Sequence, residues 1–233
     1  MNIKDNVEIV RGRIAQAQLR RGINTAVNIV AVTKTHPSAT ILEIRNAGID
    51  MIGENRVQEA ENKFQEISAS ISNLKKRLVG HLQSNKINVA LNIFDTIDSV
   101  DSLKLANKIG SKAISINRTI PTLLEINTSG ESAKFGFNPK NTDDILACFE
   151  VQGIEVQGLM TVGPFTSDIK EIRKAFISLR KLHTSLKNQI NTKSGQFTEL
   201  SMGMSDDFEI AVEEGATMVR LGTVLFGQRN NIL

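Results

Sequence analysis

Eight short apolar runs, separated by stretches of helical periodicity, constrain the fold more than any other feature of this sequence. They are Val27–Thr33, Met51–Gly53, Leu78–Gly80, Ile93–Ile97, Thr122–Ile126, Val156–Val162, Phe197–Met202 and Met218–Gly222. Between them, Val57, Ala60, Phe64 and Ile67 share one face of a helix, as do Ile169, Ile172, Phe176 and Leu179. Residues three, four and seven apart line up at about 3.6 residues per turn. Val7, Val10, Ile14 and Ala17 mark an extra helix ahead of the first strand. Strand and helix in alternation imply a parallel sheet. Eight such units within 233 residues predict an α/β fold, a single (β/α)8 TIM-type barrel with an extra N-terminal helix. No linker or composition shift divides the chain, so residues 1–233 read as one domain. An open doubly wound sheet is the alternative. It would carry a Gly-rich turn after its first strand, where this chain has Lys34-Thr35-His36-Pro37.

Local signals agree with that reading. Ser205 reads as a helix N-cap, with Asp206 and Asp207 at the positive end of the helix dipole. Gly215 and Gly48 read as stops just past helix ends, where a left-handed residue is needed. Lys75-Lys76-Arg77 and Arg20-Arg21 read as solvated helix ends.

Composition excludes several function classes. The net charge is +3, from 28 basic and 25 acidic residues spread along the chain. The pI is near 9.0, yet Lys75-Lys76-Arg77 is the only tight basic cluster and there is no Trp or Tyr. Nucleic-acid binding calls for a longer basic stripe, with stacking aromatics for single strands, so no nucleic-acid partner is expected. Cys148 is the only cysteine, which leaves no intrachain disulfide or cysteine-rich zinc site and fits a reducing compartment. No apolar run approaches membrane-spanning length, and Met1-Asn2-Ile3-Lys4-Asp5-Asn6 lacks the core of a signal peptide. A cytoplasmic protein without membrane contact is expected.

The chemistry gathers at two distant places. Lys34 closes the apolar run Val30-Ala31-Val32-Thr33. Much later come Leu200-Ser201-Met202-Gly203-Met204-Ser205 and Val219-Arg220-Leu221-Gly222-Thr223. In barrels of this type the active face lies at the carboxyl ends of the strands, often with a phosphate site in the loops after strands seven and eight. Both Gly-containing turns fall in those loops, where backbone N–H groups allow close approach of a phosphate. Each alone could be a plain tight turn. Lys34 alone could be a solvated strand cap. Together they suit an aldehyde that carries a phosphate, since a desolvated lysine beside other cations becomes a neutral nucleophile. Pyridoxal 5'-phosphate is the common cofactor of that description. His36, His81 and His183 share no metal-ligand spacing, so no metal is expected. His183 reads as exposed on its helix. His36 and His81 follow the first and third strands, where either could line a pocket mouth in a simple polar role.

These residues resemble the pyridoxal phosphate homeostasis protein family, whose fold is similar to the N-terminal barrel of alanine racemase. The matching motifs span nearly the whole chain. They include Val30 through Lys34, Gly53-Glu54-Asn55-Arg56-Val57-Gln58-Glu59-Ala60 and Gly80-His81-Leu82-Gln83-Ser84-Asn85-Lys86. Glu125-Ile126-Asn127, Glu131, Lys134, Gly136 and Gly158-Leu159-Met160-Thr161 follow, then Leu200 through Asp206, Val219 through Thr223, and Phe226-Gly227. The resemblance implies that Lys34 holds the cofactor as an internal aldimine. It implies that Ser201, Gly222 and Thr223 ligate the phosphate, that Arg220 faces the pyridine nitrogen, and that Asn55 lies beside the ring. Arg77-Leu78-Val79 departs from the aromatic residues that the family often has before Gly80.

The resemblance also implies cofactor sequestration and delivery, without catalytic residues, by a monomer whose partners are the cofactor and apo forms of pyridoxal phosphate enzymes. The sequence supports a carrier over a racemase. Two-base racemisation needs a proton donor on each face of the ring, alanine racemase pairs its lysine with a tyrosine, and this chain has no tyrosine. The end of the chain at Leu233 leaves no room for the racemase's second domain. A cationic Arg220 beside the ring nitrogen weakens the electron sink. The alternatives are a pyridoxal phosphate-dependent racemase or lyase, and a phosphate-binding isomerase without that cofactor.

Overall fold

A computed structural model of the chain describes residues 2–131, 134–190 and 196–227. Met1 and Leu233, cited above for the chain ends, lie outside them. Helix α1 (Ile3–Arg21) starts where the Asn2 side chain accepts from the Asp5 N–H and stops at Gly22, whose φ of 63° is left-handed. Its buried stripe is Val7, Val10, Ile14 and Ala17, as the periodicity predicts. Then strands and helices alternate: β1 (Asn28–Val32), α2 (Ser38–Asn46), β2 (Met51–Glu54), α3 (Val57–Glu66), β3 (Lys75–Leu78), α4 (Ile87–Ile93), β4 (Thr96–Val100) and α5 (Leu103–Ser115). The second half runs β5 (Ile120–Glu125), α6 (Thr142–Ala147), β6 (Ile154–Met160), α7 (Ile169–Gln189), β7 (Glu199–Ser201), α8 (Phe208–Glu213), β8 (Met218–Leu221) and α9 (Thr223–Phe226).

All eight strands are parallel, and β1 pairs with both β2 and β8. The sheet is therefore a closed barrel and not the open alternative. Val30 sits opposite Arg220 across the closing seam. The first and last helices reinforce that seam, because Asn6 Nδ2 donates to the Leu225 carbonyl at 2.8 Å. Outward-facing strand residues such as Ile52, Val219 and Leu221 are buried in the apolar core with helix residues such as Phe64, Phe176 and Leu225. Side chains alternate along a strand, so Arg220, between Val219 and Leu221, faces the barrel interior.

That interior is more polar than the branched apolar filling usual in such barrels. Arg77 donates through Nε to Asp98 and through Nη2 to Glu199, both at 2.7 Å, linking β3, β4 and β7. Burial opposes its charge, but the two carboxylates outweigh that and raise it above the ordinary arginine range.

Six strands match their expected spans to within two residues. The third and fourth differ. β3 begins at Lys75, not Leu78, and Lys75-Lys76-Arg77 is strand where a solvated helix end was expected. Backbone pairing to Met51, Ile52 and Gly53 holds it, and the Arg77 side chain is buried because carboxylates meet it. β4 starts at Thr96, since Ile93 ends α4. His183 is buried, not exposed, with its ring stacked 4.4 Å from that of Phe197. Arg20 and Arg21 end a helix as expected, but they pair with Glu209, Glu213 and Glu214 of the α8 segment. Asp207, not Ser205, precedes α8. Gly48 and Gly215 take left-handed φ values of 79° and 92° just past α2 and α8.

Candidate functional site

A cavity of about 330 Å³ opens at the carboxyl ends of the strands. β1 ends at Val32, and two residues later Lys34 enters the wall, partly buried. β2 delivers Asn55 immediately past Glu54, and β8 delivers Arg220 with Gly222 and Thr223 just beyond it. Val32, Val79 and Met204 add apolar surface. Five of the six residues singled out in the sequence thus line one cavity.

Ser201 does not line it. As the last residue of β7 it shares the inward face of Glu199, and it is fully buried. Arg220 Nη1 donates to both its carbonyl and its hydroxyl oxygen, and Nη2 donates to the Thr161 carbonyl at 2.7 Å. Ser205, read as an N-cap at the end of the same Gly-containing turn, is in the wall instead. Its Oγ accepts from the N–H groups of Gly222 at 3.3 Å and Val224 at 3.2 Å. Two backbone donors at the start of α9 therefore converge on one oxygen. The Gly-rich turn signalled a hydroxyl here, but which serine faces the cavity depends on strand phase. Gly203 makes that turn with φ 94°, packed so tightly that an added Cβ would come within 2.6 Å of the Ala211 Cβ.

Burial governs the charges. Arg220 is pushed below the usual arginine range by burial, while Asp98, Glu125 and Asp207 pull it back. A guanidinium stays protonated in such surroundings. Glu125, at the end of β5, is pushed up to about 7 by burial, against the pull of Arg220 and helped by Asp101. Burial likewise pushes the Cys148 thiol up to about 12, so it is inert.

His36 lines the cavity and packs 4.5 Å from the Phe226 ring. His81 lies in a neighbouring cleft that shares Asn55 with the cavity. Its Nδ1 is 3.0 Å from Asp101 Oδ2, and its ring stacks 3.9 Å from that of Phe135. Among the described residues, no group of three or more His, Cys, Asp or Glu could hold a metal ion. No described helix is long and apolar enough to cross a membrane. The site thus offers a primary amine, a buried guanidinium, a hydroxyl and clustered N–H donors around an apolar slot.

The family model described as alanine racemase, N-terminal domain, matches residues 3–230. The chain belongs to this family. It is 37% identical over 232 residues to the pyridoxal phosphate homeostasis protein of Aquifex aeolicus, covering 98% of this chain and 99% of that one. It is 36% identical to the human protein of the same name, covering 95% and 84% of the two chains. The structure of PipY from Synechococcus elongatus with PLP bound superposes with a TM-score of 0.80 at 35% identity, covering 97% of this chain and all of that one. Alanine racemase of Clostridium difficile shares the fold, with a TM-score of 0.74 at 18% identity over 57% of its length.

Proposed function

We propose that this chain, as one barrel domain, binds pyridoxal 5'-phosphate and serves intracellular cofactor homeostasis. One observation carries the reading. Lys34, Arg220 and the donor-rich turn at Gly222-Thr223 meet in a single cavity. The names of the relatives and the PLP-bound state of PipY support it.

Bound here, the cofactor would supply an aldehyde carbon open to a neutral amine. Lys34 supplies that amine. The Gly222-Thr223 turn and the hydroxyls of Thr223 and Ser205 face the phosphate, the Ser205 oxygen being held by the N–H groups of Gly222 and Val224 so that its own O–H is left to donate to the anion. Ser201 acts at the opposite end, through Arg220, whose guanidinium it fixes. Arg220 faces the ring nitrogen and, being cationic, keeps it unprotonated. Asn55 flanks the ring.

Turnover is not part of this function. The sequence holds no tyrosine to serve as a second base, and His81 stands outside the cavity. The protein acts as a monomer in the cytoplasm, limiting free aldehyde and handing cofactor to apo-enzymes.

The test is a visible spectrum of the purified protein, followed by borohydride reduction and peptide mapping. A pyridoxyl mass on Lys34 is expected. A label on another lysine, or the same spectrum from Lys34→Ala, would overturn the assignment. A protein that is colourless as purified and takes up no pyridoxyl mass on borohydride reduction would favour a phosphate-binding isomerase.

A further inference from the structure

Both neighbours of Lys34 in the chain are tied to one buried ammonium. Lys63 Nζ donates to the Thr33 carbonyl at 2.8 Å, to Glu54 Oε1 at 2.9 Å and to Glu59 Oε1 at 2.6 Å. Three acceptors use all three donors of an ammonium. Glu54 Oε1 also accepts from the Thr33 hydroxyl at 2.7 Å, and Glu59 Oε1 accepts from the Thr35 N–H at 2.6 Å. The residue before Lys34 is thus held at its carbonyl and hydroxyl, and the residue after it at its N–H.

The backbone here requires such a grip. Thr35 has φ 66°, one of two left-handed residues besides glycine among the described residues. That conformation is strained for a β-branched residue and persists only where its surroundings over-determine it. Stability alone does not account for the network. The Glu54 side chain is fully buried and that of Lys63 is 10% exposed. An apolar replacement of a buried ion pair is often neutral or stabilising. Glu54 Oε2 has no hydrogen-bond partner, and burial pushes the Glu54 carboxyl up. The network is poorly arranged for stability, but its bonds converge on the segment that carries the reactive amine.

We propose that Lys63, through Glu54 and Glu59, is a positioning residue for Lys34: it fixes the 33–35 turn and so aims the amine into the cavity. The proposal rests on the reading of Lys34 as the residue that captures the cofactor. A strap that merely anchors α3 to the sheet would affect stability alone.

The experiment measures the rate at which the full chain captures pyridoxal 5'-phosphate, by stopped-flow absorbance and by the borohydride-trapped pyridoxyl mass on Lys34. Lys63→Met and Glu59→Ala should slow capture about tenfold or more, the equivalent of one charge-assisted hydrogen bond. Glu59→Gln keeps an acceptor for the Thr35 N–H and should restore most of the rate. Glu213→Ala breaks pairs with Arg20 and Arg173 on the outer helices; it should lower the melting temperature without slowing capture. Parental rates in both Lys63→Met and Glu59→Ala would overturn the proposal, as would equal slowing in Glu213→Ala. If Lys63→Met does not fold, the contrast between Glu59→Ala and Glu59→Gln decides. A label that persists in Lys34→Ala overturns the cofactor reading instead, so the two failures are distinct.

Discussion

Arg220 donates twice to Ser201, at 2.8 Å to its carbonyl and at 2.8 Å to its hydroxyl. A serine used in this way orients a guanidinium and has no face toward the cavity. Ser201→Ala should therefore weaken pyridoxal 5'-phosphate and phosphate-free pyridoxal by the same modest factor, about fivefold for one hydrogen bond. Thr223→Val should weaken the phosphorylated ligand alone, by about tenfold to a hundredfold. Absorbance titrations with both ligands check this. A selective loss of phosphate affinity in Ser201→Ala would return that hydroxyl to the phosphate itself.

Carrier and racemase separate by proton exchange. The protein loaded with pyridoxal 5'-phosphate should exchange the Cα proton of amino acids in heavy water far below about one turnover per second, the low end of ordinary enzyme rates. It should also reactivate an apo-transaminase, with free cofactor as the control. Exchange at enzyme-like rates that disappears in Lys34→Ala would reject the carrier. Loss of that exchange in His81→Asn would then place the second proton donor on the His81–Asp101 pair.

Glu125 makes the stability of the apo-protein depend on pH. Burial pushes it up to about 7 from an ordinary 4.5. The folded chain then binds more protons than the unfolded chain between those values, so stability falls as pH rises through that window. Its contribution is full below the unfolded value and lost above the folded one, at no more than about 1.4 kcal/mol per pH unit. Glu125→Gln has no proton to lose. Its melting temperature should gain on the parent from pH 5 to pH 8, and an offset that is the same at both ends would refute the assignment.

The Arg77–Asp98 pair should be costly to break from one side. Both side chains are fully buried. Arg77→Met leaves a buried carboxylate without its cation and should cost about 3–5 kcal/mol, read from urea unfolding. Adding Asp98→Asn should recover part of that loss. A single-variant cost near zero would mean that water reaches the pair.

The elements set by periodicity were legible in the sequence, and those set by long-range pairing were not. Val7, Val10, Ile14 and Ala17 announce α1 because burial follows the turn of one helix. Lys75 through Arg77 conceal a strand, because the carboxylates that make Arg77 tolerable inside a barrel lie on Asp98 and Glu199, far along the chain. His183 is hidden in the same way, its cover being Phe197 from the next strand segment. Lys34, Arg220, Gly222 and Thr223 stood out because strand ends and glycine turns are local features, whereas Asn55 came only from the family resemblance. The choice between Ser201 and Ser205 was not legible, since both belong to one short turn and only strand phase tells them apart. Lys63 gave no signal at all, as a lysine inside an amphipathic helix looks like any solvated one.

The seam between β1 and β8, latched by Asn6 and Leu225, sets the order in which the site comes into being during synthesis. Lys34 leaves the ribosome early, whereas Arg220 and Thr223 emerge long after it. A nascent or truncated chain therefore carries Lys34 without the turn that the proposed function assigns to the phosphate. On the proposed reading, retention of the aldehyde waits for ring closure, so a filled site reports a closed barrel.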